Sequence, residues 1–254
     1  MTRSHDAVVE AQFGPRAAAY VQSAVHAAGE DLDALEAIAR RARPARALDL
    51  GSGGGHVAYR LATHAGAVVA SDLSAEMLAA VAATAKARDL GNIETRVAPA
   101  ERLPFADGAF DFLACRFSAH HWRDWAAGLR EARRVLAPGS VAVFIDAVSP
   151  GLAALNTHLQ AVELLRDTSH VRDHSAGEWG SALAGASFRV RETRSWRLRM
   201  DFPTCIARMR TPDLNRDAIR ALQDAASAEV RTHFAIEADG SFMLDTLMVE
   251  CVAG

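Results

Sequence analysis

The sequence predicts an α/β protein built on a doubly wound, mostly parallel sheet with helices on both faces. Three observations carry this. From about Ala45, short β-type runs alternate with stretches of helical periodicity. One run, Val141–Ile145, is apolar throughout, as strands buried on both faces are. The first strand candidate ends in ALDLGSGGG, with four glycines in five positions, where open α/β sheets bring ligands close to the backbone.

Taken in order, residues 16 to 42 carry Leu32, Leu35, Ile38 and Ala39 on one helical stripe, so residues 1–44 are expected to form a helical lid. Ala47–Leu50 is a strand candidate, followed by a helix with Val57, Leu61 and Ala62 on one face. Ala67–Ser71 is the next strand, and Ser74 can cap a helix bearing Met77, Leu78 and Val81. Ile93–Ala98 and Phe110–Cys115 follow as strands. Trp125, Leu129, Ala132 and Leu136 then recur at helical spacing until Pro138-Gly139 breaks the pattern. Val141–Ile145 closes a core spanning 45–146. Residues 147–185 read as a helical cap with Leu152, Leu155, Leu159 and Val162 on one helix face. In 186–254, Phe188–Met200 and Phe242–Val252 are strand-like, separated by a helix using Ile219, Leu222, Ala226 and Val230. The Asp239-Gly240 turn leads the last strand in beside its predecessor. With 254 residues and 50% hydrophobic content, one domain, 1–254, is the simplest organisation.

A formal net charge of −3 gives no broad basic surface for nucleic acid. The series Arg189, Arg191, Arg194, Arg197 and Arg199 reads as solvated charge along an edge strand. No apolar run is long enough for a membrane span, and the N-terminus lacks a signal-peptide core. Cys115, Cys205 and Cys251 are far apart in apolar segments, which suits reduced thiols in a cytoplasmic protein.

The glycine loop admits several ligands. A phosphate-binding P-loop needs a Lys-Ser or Lys-Thr after its glycines, and none follows here. A dinucleotide fingerprint can be drawn through Gly53, Gly55 and Ala58, but it extends the strand to Ser52 and buries Asp49 unpaired in the sheet. Ending the strand near Leu50 gives D-x-G-x-G-x-G from Asp49, Gly51, Gly53 and Gly55. The carboxylate then stands at the strand mouth, where it suits a cationic ligand and repels a pyrophosphate. Asp72, 21 positions after Gly51, can accept hydrogen bonds from ribose hydroxyls and is common to both readings.

ALDLGSGGGH, VVASDLSAEML, AERLPFADGAFD and LREARRVLAPGS together resemble, in order and spacing, the class I S-adenosylmethionine-dependent methyltransferases. Within that class the chain looks like the UbiE-like (type 11) branch of ubiquinone and menaquinone biosynthesis. The resemblance implies a Rossmann-like seven-stranded sheet with an antiparallel last strand, and S-adenosyl-L-methionine as cofactor with S-adenosyl-L-homocysteine as product. It implies that Asp49, Gly51, Ser52, Gly53 and Gly55 lie near the methionine end. Asp72 would hold the ribose, with Leu73 and Met77 against adenine. Ala100 and Glu101 would line the adenine pocket, and Arg116 and Phe117 would face the methionine moiety. Relatives often carry an acid just before that alanine to bind the adenine amino group. This chain has Pro99 there, which leaves Glu101 or a backbone carbonyl for the contact.

A sulfonium is a good methyl donor, so the expected work of the site is to align the acceptor and exclude water, with a base needed only if the acceptor must lose a proton. RFSAHHW places His120 and His121 at the correct sheet edge to act as that base. As sequence neighbours they are expected to point apart and to make a poor chelating pair. In RDTSHVRDHSAGEW, the residues His170, Arg172 and Trp179 are candidates for closing over a substrate. His170 and His174 have i, i+4 spacing without an accompanying acid motif, so no metal site is expected. From the lid, Phe13, Tyr20 and His26 are candidate contacts, and Arg208–Asp213 is expected to come back toward the mouth. The reading is a methyltransferase acting on a C, N or O atom of a small molecule. An NAD(P)-dependent oxidoreductase and a non-catalytic cofactor-binding protein on the same fold are the alternatives.

Overall fold

A computed structural model describes residues 3–17 and 27–254. Its centre is a seven-stranded sheet in the order β3-β2-β1-β4-β5-β7-β6. The strands are β1 (Arg46–Leu50), β2 (Ala67–Asp72), β3 (Ile93–Val97), β4 (Phe110–Arg116), β5 (Leu136–Ala147), β6 (Phe188–Met200) and β7 (Phe242–Ala253). The first five pair in parallel, while β7 runs antiparallel to both β5 and β6. The order reverses at β1, whose neighbours are β2 and β4, so the carboxyl ends of β1, β2 and β4 open one crevice.

Period-two alternation divides the core. Leu48, Leu50, Leu113 and Phe144 face the helices Trp125–Arg134 and Ala176–Gly185, with Trp179 and Leu183 completely or nearly completely buried there. Ala47, Phe112, Ala114, Val143 and Ile145 face the helices Glu30–Ala42, His56–Ala62 and Ala75–Ala87, which supply Leu35, Leu61 and Val81. A third cluster joins the helices Ala153–Arg166, Phe202–Met209, Asp213–Asp224 and Ala228–Phe234 to the ends of β5 and β7 through Leu159, Phe202, Ile219 and Phe234.

Several elements differ from the sequence expectation. Among the described residues of the segment expected as a helix over 16–42, Glu30–Ala42 is helical, and a 3-10 turn at Gly14–Arg16 leads into the segment. Ahead of it, His5–Phe13 forms a helix capped by Ser4. Leu136 belongs to β5, which begins before Pro138-Gly139 and shifts register against β4 between Phe110 and Phe112. The periodic run from Ile219 to Val230 is two helices. The Ser227 hydroxyl accepts from the Val230 N–H and starts the second one afresh. Leu152 caps its helix from an exposed position instead of joining the apolar stripe.

The arginines of β6 do line an edge strand, and four of them pair with acids: Arg191 with Glu250, Arg194 with Glu192, Arg197 with Asp245 and Arg199 with Glu237. Cys115, Cys205 and Cys251 are free and buried. No helix among the described residues is long and apolar enough to cross a membrane.

Gly128 shows how tightly the fold seats the wall of the crevice. A Cβ on Gly128 would overlap the indole of Trp122, whose Nε1 donates to the Ser118 hydroxyl at 3.2 Å. Gly128→Ala is expected to destabilise the protein by ~1–3 kcal/mol through overpacking, despite the helix-propensity gain of roughly 1 kcal/mol. Urea denaturation measures this, and a midpoint that rises would show that Trp122 swings aside at no cost.

Candidate active site at the carboxyl end of the sheet

The crevice deepens into a cavity whose wall begins with the β1 loop. The turn that leaves β1 needs left-handed backbone at Gly51 and Gly53, with φ of +72° and +47°. A Cβ on Gly51 would collide with Ser118, whereas one on Gly53 would meet nothing within 4 Å among the described residues. The first glycine therefore fits the β4 loop, and the second leaves an open cradle. Ser71 O anchors the turn by accepting from Gly51 N at 2.8 Å and Ser52 N at 2.9 Å. Gly51, Ser52, Gly53 and Gly54 line the cavity. Gly55 does not. Its φ of +80° turns the chain into the helix His56–Ala62, and a side chain there would strike Tyr59 and Val81.

Asp49 shares the sheet face of Ala47, which the helix His56–Ala62 covers. Its Oδ2 accepts from Ala58 N at 2.9 Å. Only 1% of Asp49 is exposed, and burial pushes its carboxyl up to about 8 against the opposing Ala58 bond, with the nearby Asp72 charge adding to the rise. The strand does end at Leu50, as the sequence suggests, but this does not lift Asp49 out of the interior. Asp72 closes β2. Its Oδ2 accepts from Gly53 N and its Oδ1 from Ser74 N, both at 2.9 Å, and burial raises its pKa. Thus the second acid holds the loop that the first acid's strand launches. Leu73, Met77, Ala100 and Glu101 complete this end of the cavity. Glu101 Oε1 also accepts from Asp124 N at 3.2 Å.

Arg116 and Phe117 leave β4 into the same cavity. Arg116 forms a fork with Asp31 of the helix Glu30–Ala42, Nε to Oδ2 at 2.5 Å and Nη2 to Oδ1 at 3.2 Å. Phe117 holds a left-handed φ of +52°, unusual for a bulky residue, while its N–H donates to Ile145 O at 2.8 Å. The 3-10 turn Ala119–His121 follows, and it corrects one expectation. The His120 and His121 rings lie with centroids 4.1 Å apart instead of diverging, one held through Nδ1 at Asp146 and the other through Nδ1 at Ser169 O.

The two histidines have opposite environments. His120 Nδ1 lies 2.6 Å from Asp146 Oδ1, and its backbone N–H donates to Asp146 Oδ2 at 3.2 Å. Burial by itself would lower its pKa, but the Asp146 charge and hydrogen bond outweigh that and raise it to about 9. His121 goes the other way, to about 3, through burial and the adjacent His120 charge. Its Nδ1 is 3.1 Å from Ser169 O, its ring meets Phe13 edge-on, and its carbonyl accepts from His5 Nε2 at 2.8 Å.

The expected cap contacts are not in the cavity wall. Trp179 is 3% exposed and packs on Trp125 and Phe144 in the core. Arg172 reaches outward to Glu178, which also forms the capping box of the helix Ala176–Gly185. His170 is buried against Gln160 Oε1 at 3.0 Å. Apolar demand explains Trp179, since a large ring on the core-facing stripe is buried before it can reach a ligand. Tyr20 and His26 lie outside the described residues. Arg208 lines the cavity, as expected of its segment, together with Met209. His170 and His174 separate, the latter stacking on Trp125 at 3.6 Å. Glu163, His170 and Asp173 do converge, with ligand atoms within 4.8 Å of one another. Both Glu163 oxygens are bonded to Arg166, so a cation there would have to displace a guanidinium.

Sequence reasoning passed over Asp31, Gly54, Ser118, Asp146, Glu163, Arg166 and Asp167, although all but Asp31 and Asp146 line the cavity and these two hold residues that do. For Asp146 a signal was available. Like Asp49 and Asp72, it is an acid at the end of an apolar strand.

Comparison with known proteins supplies the family. Residues 48–144 match a methyltransferase domain family. The chain is 48% identical over 196 residues to the uncharacterized protein YafE of Escherichia coli (strain K12), covering 77% of this chain and 95% of that one. It is 29% identical over 246 residues to YcgJ of Bacillus subtilis, named an uncharacterized methyltransferase, covering 95% and 97%. The YcgJ crystal structure superposes with a TM-score of 0.84 at 28% identity over 87% of this chain and 97% of that one. A demethylmenaquinone methyltransferase of Chlorobaculum parvum is 37% identical over 109 residues, 42% of this chain and 43% of that protein.

The Asp49 environment sets a pH dependence. In the folded, unliganded protein its carboxyl keeps a proton up to about 8, whereas an unfolded chain releases it near 4. Its contribution to stability is therefore fully present below pH ~4 and is lost as pH rises to about 8. Asp49→Asn should gain on the native protein by up to about 4 kcal/mol between pH 5 and pH 8. Paired denaturation curves at the two pH values test this, and a constant difference would show that Asp49 is already ionised at pH 5.

Proposed function

The chain belongs to the S-adenosylmethionine-dependent methyltransferases, and we propose that it methylates a small molecule held in the cavity between the glycine loop, the histidine turn and the C-terminal helices. The observation that carries this reading is the pair of strand-end carboxylates, Asp49 and Asp72, beside a glycine cradle. Asp72 suits the ribose of either cofactor, while Asp49 beside the cradle suits a ligand with an ammonium and a sulfonium and disfavours a pyrophosphate, which speaks against the oxidoreductase alternative.

S-adenosylmethionine, when bound, supplies a methyl group on a sulfonium, so no further activation of the donor is required. The chain's residues then have three tasks. Asp72 would accept from the ribose hydroxyls, with Leu73 and Met77 packing against the base and Glu101 available to its amino group. Among the described residues the buried Ser52 hydroxyl has no partner and the space over Gly53 is open, which fits a ligand seated on the loop. Asp49 and Arg116 would meet the amino-acid end, the carboxylate of Asp49 toward the ammonium and the Asp31-braced guanidinium toward the carboxylate.

Across the cavity, Phe13, Leu198, Met200, Met209 and Leu244 offer apolar walls, with Arg166, Arg208 and His120 among the polar groups. This surface suits a small, mostly apolar acceptor with one or more oxygens, aligned behind the methyl group with water displaced. With its pKa near 3, His121 is a weak base, and with its pKa near 9, His120 is protonated at neutral pH. Alignment, not proton abstraction, is therefore the main contribution of this site.

Calorimetry with S-adenosylhomocysteine tests the reading. Asp72→Ala should weaken binding by ~1.5–3 kcal/mol, since the ribose loses a charged acceptor. Native protein that binds NADH and not S-adenosylhomocysteine would sink the proposal. Binding at pH 7 should also release a proton, because the ligand ammonium favours the ionised form of Asp49. Heats measured in buffers of different ionisation enthalpy report that release.

A further inference from the structure

Asp146 ends β5 at the crevice and is 2% exposed. Its carboxylate is fully engaged: Oδ1 meets His120 Nδ1 at 2.6 Å and Ala147 N at 2.9 Å, and Oδ2 accepts from His120 N at 3.2 Å. Two of these three hydrogen bonds fix His120 to the end of β5. His120 O is fixed too, accepting from Val171 N at 2.9 Å and Arg172 N at 3.2 Å. With Nδ1 committed to Asp146, Nε2 is the ring nitrogen left for the cavity that His120 lines.

We propose that the Asp146–His120 pair is a fixed cationic hydrogen-bond donor whose Nε2–H binds a negatively charged oxygen of the methyl acceptor, so that the substrate class is a phenolate, an enolate or a carboxylate. The proposal rests on the methyltransferase reading and deepens it. His120 is a binding group at the reacting end, and Asp146 is a positioning residue that acts through it. Such a donor is charge-assisted and preorganised, the arrangement that favours charge at a defined point in a site closed to water.

The surrounding charges are consistent with an anion there. Glu163, on the helix Ala153–Arg166, is bonded to Arg166, which lines the same cavity. Asp167 Oδ1 is occupied by Ser169 N at 2.9 Å and Ser169 Oγ at 2.6 Å. Burial pushes the Asp173 carboxyl up to about 8, so it is mostly uncharged at neutral pH. His170, with its ring 5.8 Å from that of His120, is pulled down to about 4 by burial and is neutral, as is His121. Arg208 adds its guanidinium to that of Arg166 in the cavity wall. His120, raised to about 9, therefore remains the charged imidazole of the group through the physiological range.

Two measurements test the pair. In protein labelled with nitrogen-15 histidine, the His120 ring should give an imidazolium signature at pH 7.5 and titrate near 9. In Asp146→Asn it should be neutral at pH 7.5, a change that a merely structural role would not produce. A neutral His120 in the native protein would overturn the proposal. The second measurement uses protein loaded with S-adenosylhomocysteine, with 4-nitrophenolate and benzoate as anionic probes and nitrobenzene and benzamide as neutral counterparts. Native protein should prefer at least one anion over its counterpart by about tenfold or more, as a charge-assisted bond implies. The arm that responds separates a phenolate-type from a carboxylate-type acceptor.

His120→Gln, shown to be folded by thermal melting, should lose that preference, and if it unfolds Asp146→Asn serves in its place. Equal binding of anions and neutral probes by the native protein, or an unchanged preference in the variants, overturns the proposal. Failure to bind S-adenosylhomocysteine at all would instead strike the methyltransferase reading itself.

Discussion

A carboxylate removed from water must be bonded, paired or protonated, and the cavity is organised around three that meet this demand differently. Asp49 has one backbone N–H and is pushed toward its neutral form. Asp72 has two N–H donors from the turns on either side, and in accepting them it clamps the glycine loop to the end of β2. Asp146 captures an imidazole. All three stand at the carboxyl ends of strands in a sheet whose order reverses at β1, so the fold gathers them around one crevice.

The same constraint separates the two histidines. Residues adjacent in sequence, with rings in contact, are shifted in opposite directions: the Asp146 carboxylate outweighs burial and raises His120, whereas burial and the neighbouring His120 charge lower His121. In such pairs the environment assigns the roles. His120 becomes a cation attached to β5, and His121 a neutral ring set between Phe13 and Ser169.

The β1 loop illustrates how far a motif can be read locally. Gly51 was legible from the D-x-G-x-G-x-G spacing, and the structure supplies the reason for it in a left-handed φ and the collision of any side chain with Ser118. Gly55 looked equivalent in the motif, yet it serves the turn into the helix and the packing of Tyr59, while Gly54 faces the cavity. Spacing marks where the chain must bend, but which glycine faces the ligand depends on where the following helix comes to rest. Trp179 makes the same point for the cap. Its polar sequence context suggested a gate, but its position on the buried stripe of the helix Ala176–Gly185 committed it to the core.

The sequence by itself determined the βαβ alternation, the strand ends and the acids that follow them, because hydrophobic periodicity, capping and turn chemistry act over a few residues. It also determined the family, through four motifs in register. Only the tertiary structure decided the partners across the crevice: Asp31 with Arg116, Asp146 with His120, and Arg166 with Glu163 beneath the same cavity. The first pair is separated by 85 positions and the second by 26. The third lies within a single turn of helix, but what places it at the site is the docking of that helix against the ends of β5 and β7. Charges are paired by distance in space and by the loss of water, and a linear pattern records neither.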